Sequence, residues 1–304
     1  KTYSLVEALK HLIEHEGPKL RRNHQRIACI TYTNAATAVI NSRIDSNPLV
    51  FVDTIHAFCW SLIRKFQPAL RSLVSAMPEW DEKLAEANGI GSRIVEYERG
   101  HRRATTDTVT LHHDDVLGLM VSLLPNVKFQ ALLAQQYPFV LIDEYQDTDV
   151  AVMTSMSGHL LGRATGPMIG LFGDHWQRIY DKTCGHVTHE ALTEIGKKAN
   201  FRSATKIVDV LNRMRPELPQ SVKDESFVGS AIAFHTNAWQ GERRSGAGGG
   251  HWKGDLPAEA AHAYLATLIK KLESDGWDVA PQRTKVLMLT HNVLASEQGY
   301  DSIT

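Results

Sequence analysis

This 304-residue sequence contains few cysteines, has almost equal numbers of positive and negative side chains, and has no long apolar run. Three cysteines (Cys29, Cys59, Cys184) stand far apart and match no metal-ligand spacing, which favours a reduced, cytoplasmic setting over a disulfide framework. The 33 Lys and Arg residues nearly balance the 34 Asp and Glu residues, so a basic surface over the whole protein is excluded, although a local groove can be positive. We find no signal peptide and no apolar run of roughly 18 residues, so we expect no membrane span.

An initiator methionine is also missing, and the chain opens on "KTYSLVEALKHLIEHE". Leu5, Leu9 and Leu12 recur on one helical face, with Ile13 beside them. A helix that starts at residue 3 without a capping segment leads us to expect that upstream sequence is missing. The sequence is therefore treated as a fragment.

Four apolar stretches predict buried strands, and each ends in polar residues. They are "RIACITYTN" (26–34), the start of "LVFVDTIHAFCWSLIRKF" (49–66), "FVLIDEYQD" (139–147) and "PMIGLFGDHWQRIY" (167–180). Helical patterns lie between them, which predicts an α/β fold with a parallel sheet covered by helices on both faces. The carboxyl edge of such a sheet is where ligands bind.

The rest of the chain divides by composition. Residues 79–126 are polar and weakly periodic, with the charged patch "EYERGHRRATTD", and predict a small, partly helical insertion. A new unit starts near residue 200 and contains the glycine-rich "RRSGAGGGHWKGD", which indicates a mobile stretch. The pattern at 256–277 predicts an amphipathic helix, and that at 284–292 a fifth strand.

Asp143 and Glu144 follow the apolar run of the third strand directly. Asp143 could reach Mg²⁺ through its waters, since Mg²⁺ takes one or two carboxylates together with phosphate oxygens. Glu144 could accept a proton from an attacking water as a general base. The alternative is a strand that simply ends in a solvated loop, and these two residues alone do not decide between the two.

Other strand ends add polar groups of the same kind. Asp174 and Gln177 follow the fourth strand, and a glutamine near a metal-bound triphosphate can bind the γ-phosphate without adding charge. Arg202 in "NFRS" could supply donors to phosphate oxygens, as an arginine finger does, although a lone arginine is most often a solvated surface residue.

Five ordered motifs give the sequence a family resemblance. "TYTNAA" (31–36), "DTIHAFC" (53–59), "VLIDEYQDTD" (140–149), "GDHWQRIY" (173–180) and "NFRS" (200–203) resemble motifs Ia, Ib, II, III and IV of superfamily 1A helicases, the UvrD/Rep/PcrA group. The resemblance implies a RecA-like P-loop NTPase with the start of a second RecA-like domain. Residues 1–78 and 127–199 would form domain 1A, 79–126 a 1B-like subdomain, and 200–304 part of domain 2A with a flexible segment near 241–255.

The resemblance also implies ATP and Mg²⁺ as cofactors. Lys1 and Thr2 match the end of the family's GxGKT phosphate loop, so Lys1 would bind the β- and γ-phosphates and Thr2 the Mg²⁺. Asp143 would hold the metal through water and Glu144 would be the base. Gln177 and Arg202 would sense the γ-phosphate, and nucleotide contacts are also expected from Asp174 and Tyr180.

Motifs Ia and Ib imply contacts with single-stranded DNA. Tyr32 takes the place of the aromatic that stacks on a base, and stacking contributes roughly 1–3 kcal/mol per base whatever the sequence. A half-buried core aromatic is the alternative for Tyr32. The other expected strand contacts are Thr33, Asn34, Thr54 and His56.

Two departures from the family bear on function. Asp181 and Lys182 stand where the family has an aromatic and an arginine that link DNA to nucleotide. The insertion is also small. A compact chain with a reduced insertion resembles the helicase-like subunits that accompany a TOPRIM-type nuclease in Gabija-type phage defence.

Three functions follow from these patterns. The leading one is an ATP-dependent DNA helicase or translocase, stimulated by single-stranded DNA. The second is a nucleotide- or DNA-end-sensing subunit that gates a partner nuclease with little unwinding. The third, an ordinary metal-dependent hydrolase, leaves "TYTNAA", "TIHAF" and "NFRS" unexplained.

Overall fold

The computed structural model describes residues 1–98, 100–245 and 253–287, which contain both helices and strands. The helices are α1 (Thr2–His15), α2 (Gly17–Arg22), α3 (Asn34–Arg43), α4 (Ile55–Ile63), α5 (Gln67–Val74), α6 (Asp81–Glu86), α7 (His113–Leu123), α8 (Val127–Gln136), α9 (Val150–His159), α10 (Thr205–Met214) and α11 (Ala258–Ser274). The strands are β1 (Ile27–Thr31), β2 (Val50–Thr54), β3 (Ile94–Tyr97), β4 (Arg103–Ala104), β5 (Thr108–Leu111), β6 (Phe139–Asp143), β7 (Met168–Phe172), β8 (Ala199–Asn200) and β9 (Ser221–Val222).

The first four predicted strands form one parallel sheet in the order β2-β1-β6-β7. After β2 the chain crosses back over β1 and adds β6 on the other side, so the direction of winding reverses between β1 and β6. Parallel strands place all their carboxyl ends at one edge, and ligands of open α/β sheets bind where the winding reverses. The predicted α/β sheet is therefore confirmed.

Helices cover both faces of this sheet, as predicted. Along β1 the side chains alternate, so that Ala28 and Ile30 join one core while Ile27 and Cys29 join the other. The second core is closed by α1, whose buried Leu5, Leu9 and Leu12 repeat at helical spacing. Burial on both faces explains why the strands are almost wholly apolar.

The insertion at 79–126 contains a three-stranded sheet, β3-β5-β4, before α7. Its strands are two to four residues long, too short for an alternating pattern to stand out, and they were not predicted. Trp80, Val95 and Val109 are fully or almost fully buried in the same core as Phe58 of α4. The insertion therefore packs into the core of the first unit.

The chain forms two compact units, Lys1–Ile195 and Gly196–Thr304. Within the second unit, α11 confirms the amphipathic helix predicted at 256–277. Residues 284–287 of the predicted fifth strand form no strand, and 288–292 lie outside the described residues. So does 246–252, which includes most of the glycine-rich stretch. The predicted domain assignments, including the second RecA-like domain, stay predictions.

Among the described residues, no single helix is long and apolar enough to cross a membrane. α7 and α8 reach that length and apolar composition only when taken together, and the pair is bent by 109°.

Candidate functional site

The carboxyl edge of the sheet divides into two neighbouring halves. β6 and β7 end in Asp143 and Phe172, and they are followed by the acidic and amide side chains predicted to bind nucleotide. β1 and β2 end in Thr31 and Thr54, next to the residues predicted to bind a strand of DNA. Because β1 pairs with β6, the two halves lie side by side.

The β6–β7 half brings four of the residues predicted for the nucleotide site into direct contact. Lys1 Nζ donates to Glu144 Oε2 at 2.5 Å and to Gln177 Oε1 at 2.7 Å. Gln177 Nε2 in turn donates to Asp174 Oδ2 at 3.0 Å. These residues, with Asp143, are called the Lys1 cluster below. The cluster joins one cation, Lys1, to side chains that follow both strands.

Glu144 owes its position to a left-handed backbone, with φ 47° and ψ 45°. Such a conformation is uncommon for a residue with a side chain, and it costs on the order of 1–3 kcal/mol where its surroundings enforce it. It turns the chain out of β6 and into the short 3₁₀ helix at 145–147. The Glu144 side chain therefore leaves the strand direction and meets Lys1.

The Gln146 side chain holds Glu144 and Asp174 of the Lys1 cluster in position. Its side chain donates to Glu144 Oε2 at 2.9 Å and to Asp147 Oδ2 at 3.1 Å, while its Oε1 accepts from the Asp174 backbone N–H at 3.1 Å. Gln146 is buried, so its donors and acceptor have little water to compete with. It connects the ends of β6 and β7 through one amide group.

Asp143 is a buried carboxylate at the end of β6, with one oxygen, Oδ1, that has no partner among the described residues. Burial raises its pKa above the ordinary value, the Glu144 carboxylate raises the pKa further, and Lys1 opposes both. A buried acceptor without a donor is unfavourable by about 1–3 kcal/mol, and a cation nearby removes that cost. The residue thus fits the chemistry of a magnesium ligand.

Thr2 begins α1 directly after Lys1, which is the cap residue of that helix. Within the described ranges, no three His, Cys, Asp or Glu side chains converge into a metal site made by protein alone. Mg²⁺ does not need such a set, because it keeps several waters and takes phosphate oxygens. A threonine hydroxyl and a single carboxylate therefore fit a magnesium ion that arrives with a triphosphate.

Gly173 allows the Gln146 contacts to form. A Cβ atom at this position would lie 2.3 Å from Gln146 Oε1 and 2.6 Å from Tyr145 Cδ1, closer than real Cβ atoms come. Only glycine lets the chain leaving β7 approach the loop after β6 this closely.

The β1–β2 half brings together all five residues predicted to bind DNA. Their side chains line a cavity of about 480 Å³. Thr33 caps α3 by accepting from the Ala36 N–H at 3.1 Å, and Thr54 caps α4 by accepting from the Ala57 N–H at 3.4 Å. Both threonines thus have a structural role as helix caps. The other three residues are Tyr32, Asn34 and His56, and Tyr32 is 43% exposed.

His56 stacks on His113, which is the first residue of α7 in the insertion. The two rings have centroids 3.2 Å apart and lie within 18° of parallel. Burial, the largest cause, and the neighbouring His113 lower the pKa of His56 from 6.5 to about 4, while Asp114 acts in the opposite direction. His56 is therefore neutral near pH 7, which suits hydrogen bonding rather than ion pairing.

Tyr180 lies with the β1–β2 half, although the sequence analysis grouped it with the nucleotide. Its ring centroid is 5.9 Å from that of Tyr32, at an interplanar angle of 35°. The short 3₁₀ helix ends at Gln177, and the residues after it bring the Tyr180 ring beside that of Tyr32. Both tyrosine rings are about half exposed and form one aromatic surface.

Arg202 belongs to the second unit, where Asn200 Oδ1 accepts from its backbone N–H at 3.0 Å. Its side chain helps to line a cavity of about 650 Å³ within that unit, together with Phe227 and Trp277. The predicted role of Arg202 at the γ-phosphate stays a prediction.

Sequence reasoning missed several residues that shape these sites. Gln146 and Gly173 lie inside the quoted motifs, yet their importance depends on the distance between two strand ends. His112 and His113 follow an apolar stretch in "TVTLHHDD", a pattern like that of the predicted strand ends, and this signal could have identified them.

Known proteins resemble this chain in sequence. A protein-family model described as "AAA domain" matches residues 1–183, more than half of the chain. The chain is also 24% identical over 330 aligned positions to "Gabija protein GajB" of Bacillus cereus (strain HuB5-5), a match that covers 77% of this chain and 48% of that protein. The chain thus spans about half the length of this relative. The chain therefore belongs to the AAA domain family, which confirms the predicted resemblance to UvrD-like helicases of the Gabija type and the α/β, P-loop fold.

Proposed function

We propose that this chain is the ATP-hydrolysing, strand-binding part of a DNA helicase or translocase of the UvrD-like type. The observation that supports this most strongly is that the Lys1 cluster and the cavity of about 480 Å³ lie at the same edge of the parallel sheet. The β6–β7 half offers a cation (Lys1), a proposed base (Glu144) and a buried carboxylate (Asp143). The β1–β2 half offers the exposed aromatic surface of Tyr32 and Tyr180 and the starts of helices.

Mg-ATP is the cofactor that these residues fit, and it supplies the phosphoanhydride bond whose hydrolysis releases free energy. Lys1, Thr2, Asp143 and Asp174 would hold it. Lys1 can exchange the Glu144 carboxylate for phosphate oxygens, since all of them are acceptors for the same ammonium group. Glu144 then keeps the Gln146 hydrogen bond and can take a proton from water at Oε2.

Gln177 and Arg202 sense the γ-phosphate in this proposal. Gln177 already contacts Lys1 and Asp174, so its amide responds to any change in either partner. Arg202, in the second unit, would supply guanidinium donors to the γ-phosphate. Closure and reopening would move a strand held at Tyr32 and His56.

Glu144→Gln tests the chemical step. The amide keeps the shape and the acceptor oxygen but cannot take a proton, so single-strand-stimulated ATP turnover should fall by about 10²–10⁴-fold, the usual contribution of a general base. Glu14→Gln, an exposed glutamate on α1, is the matched control and should turn over like the wild type. Phosphate release with a thymidine oligonucleotide present is the measurement.

Two outcomes would contradict the proposal at different points. Wild-type turnover in Glu144→Gln would remove Glu144 from the role of base. A wild-type protein that releases no phosphate from ATP, with or without single-stranded DNA, would overturn the function itself.

A regulatory subunit is the second candidate, and one observation favours it. Asp181 and Lys182 stand where the family has its DNA-linking aromatic and arginine, and the Lys182 carbonyl accepts from the Val150 N–H at 3.2 Å. The protein could then sense nucleotide or DNA ends and gate a nuclease. Strand displacement separates the two candidates, because robust unwinding by the isolated full-length protein argues against a pure sensor.

A nuclease partner of the TOPRIM type, acting in phage defence, belongs to the same proposal. It is supported by the similarity to the Gabija protein of Bacillus cereus. Purification from the native host should recover a nuclease with the protein, and purification without one under gentle conditions would count against a stable complex.

A further inference from the structure

The cavity of the β1–β2 half has a second wall that the family motifs do not include. Tyr32, Asn34 and His56 line one side, and Gly100, His112 and His113 of the insertion line the other. The described lining residues include three imidazoles and no carboxylate. A ligand in the cavity would therefore meet the insertion as well as the ends of the strands.

His113 is the exposed member of the stacked pair, whereas His56 is half-buried beneath it. The Tyr97 hydroxyl lies 2.7 Å from His113 Nδ1. The donor and acceptor roles in this pair depend on the tautomer of His113. In the tautomer with the ring proton on Nε2, Tyr97 donates to Nδ1 and Nε2–H can act as a donor.

The charge around the cavity favours an anion. α3, α4 and α7 begin at its wall with Asn34, Ile55 and His113, and the start of a helix has a positive partial charge. The nearby Asp114 does not line the cavity; its side chain is 80% exposed and lies 3.5 Å from His112 Nδ1. Imidazole N–H donors and helix starts suit the oxygens of a phosphodiester, which accept hydrogen bonds.

We propose that His113 is a further strand-binding residue, whose imidazole hydrogen-bonds a backbone phosphate of a single-stranded polynucleotide while a neighbouring base lies against Tyr32. The inference rests on the proposed function and extends its strand site from the sheet edge to the insertion. Tyr97 is a positioning residue here, because it orients the His113 ring, and His56, itself a proposed strand contact, supports the face of that ring.

The test compares three variants of the full chain in binding a fluorescein-labelled thymidine oligonucleotide, followed by fluorescence anisotropy. His113→Phe keeps a flat ring against His56 but has no nitrogen to donate. It should weaken binding by roughly tenfold or more, as expected for the loss of a hydrogen bond to a charged group. His113→Ala should weaken binding to a similar extent. His15→Ala, which disturbs a pair of exposed histidines on α1, is the control and should bind like the wild type.

The outcomes separate this inference from the function on which it rests. If the wild type binds and His113→Phe binds equally well, while His113→Ala is weak, the ring supports a base by stacking and the phosphate contact is wrong. If both variants bind like the wild type, His113 has no part in the site. A wild type that binds no single strand overturns the proposed function together with this extension of it.

Discussion

Gly173→Ala tests how the structure holds the proposed base. The backbone of Gly173 lies outside the left-handed region, so alanine is tolerated by the main chain and the effect comes from the methyl group. That methyl would lie 2.3 Å from Gln146 Oε1, whereas ordinary Cβ contacts begin near 3.4 Å. Gln146 must therefore move by roughly 1 Å in a packed environment.

This displacement reaches Glu144, because Gln146 hydrogen-bonds both Glu144 Oε2 and the Asp174 N–H. A misplacement of about 1 Å can lower turnover on the order of 100-fold, and we expect a loss of kcat of that size with a smaller change in KM for ATP. Overpacking should also lower the free energy of unfolding by about 1–3 kcal/mol. Binding of a thymidine oligonucleotide should be retained, since Tyr32 and His56 follow the other two strands.

Gly158→Ala is the matched control. Gly158 lies in α9, and no atom lies within 4 Å of the position of an added Cβ. Alanine there should leave turnover unchanged and stabilise the helix by about 0.5–1 kcal/mol. Steady-state phosphate release and thermal unfolding are measured for both variants. If Gly173→Ala hydrolyses ATP as fast as Gly158→Ala, Gln146 does not position the base.

Two further predictions concern the insertion and the histidine pair. Asp115, whose side chain is 0% exposed, binds Arg102, Trp80 and the His112 N–H, so Asp115→Ala should lower the free energy of unfolding by about 3–5 kcal/mol in urea titrations. Its neighbour Asp114, 80% exposed, gives the control Asp114→Ala, and equal losses for the two would contradict this account. Because the pKa of His56 is about 4 when folded and 6.5 when unfolded, the unfolded chain binds more protons between these values, so acidification from pH 6.5 to 4 should lower stability. His56→Asn should flatten this part of the pH profile, and a profile as steep as that of the wild type would show that His56 does not titrate in this way.

The sheet and its ligand edge could be predicted because the signals are local. Ile27–Thr31 and Phe139–Asp143 are short apolar runs that end in polar residues. Such runs are typical of strands that are buried on both faces of a parallel sheet. The helical repeat of Leu5, Leu9 and Leu12 is equally local. Such patterns locate elements without any knowledge of their neighbours.

The details of the site depend on distances between elements, which no local pattern contains. Tyr180 follows Gln177 closely in the sequence, yet the backbone turns between them and takes the two side chains to different halves of the edge. The stack of His56 on His113 joins the start of α4 to the start of α7 in the insertion. The importance of Gly173 lies in the space taken by Gln146, which follows from the pairing of β6 with β7.

Coupling between nucleotide and strand needs a physical connection between the two halves, and residues 177–180 are well placed to provide one. Gln177 contacts Lys1 at one end, and Tyr180 contacts Tyr32 at the other. The segment is tied to the loop after β6, since the Ile179 N–H donates to Asp147 Oδ1 at 3.4 Å and the Cys184 N–H donates to the Thr148 carbonyl at 2.8 Å. A change in the Lys1–Gln177 contact therefore has a short, anchored route to the aromatic surface. If this proposed route couples the two halves, then, because coupling free energies are reciprocal, the factor by which a bound strand alters nucleotide affinity equals the factor by which nucleotide alters strand affinity.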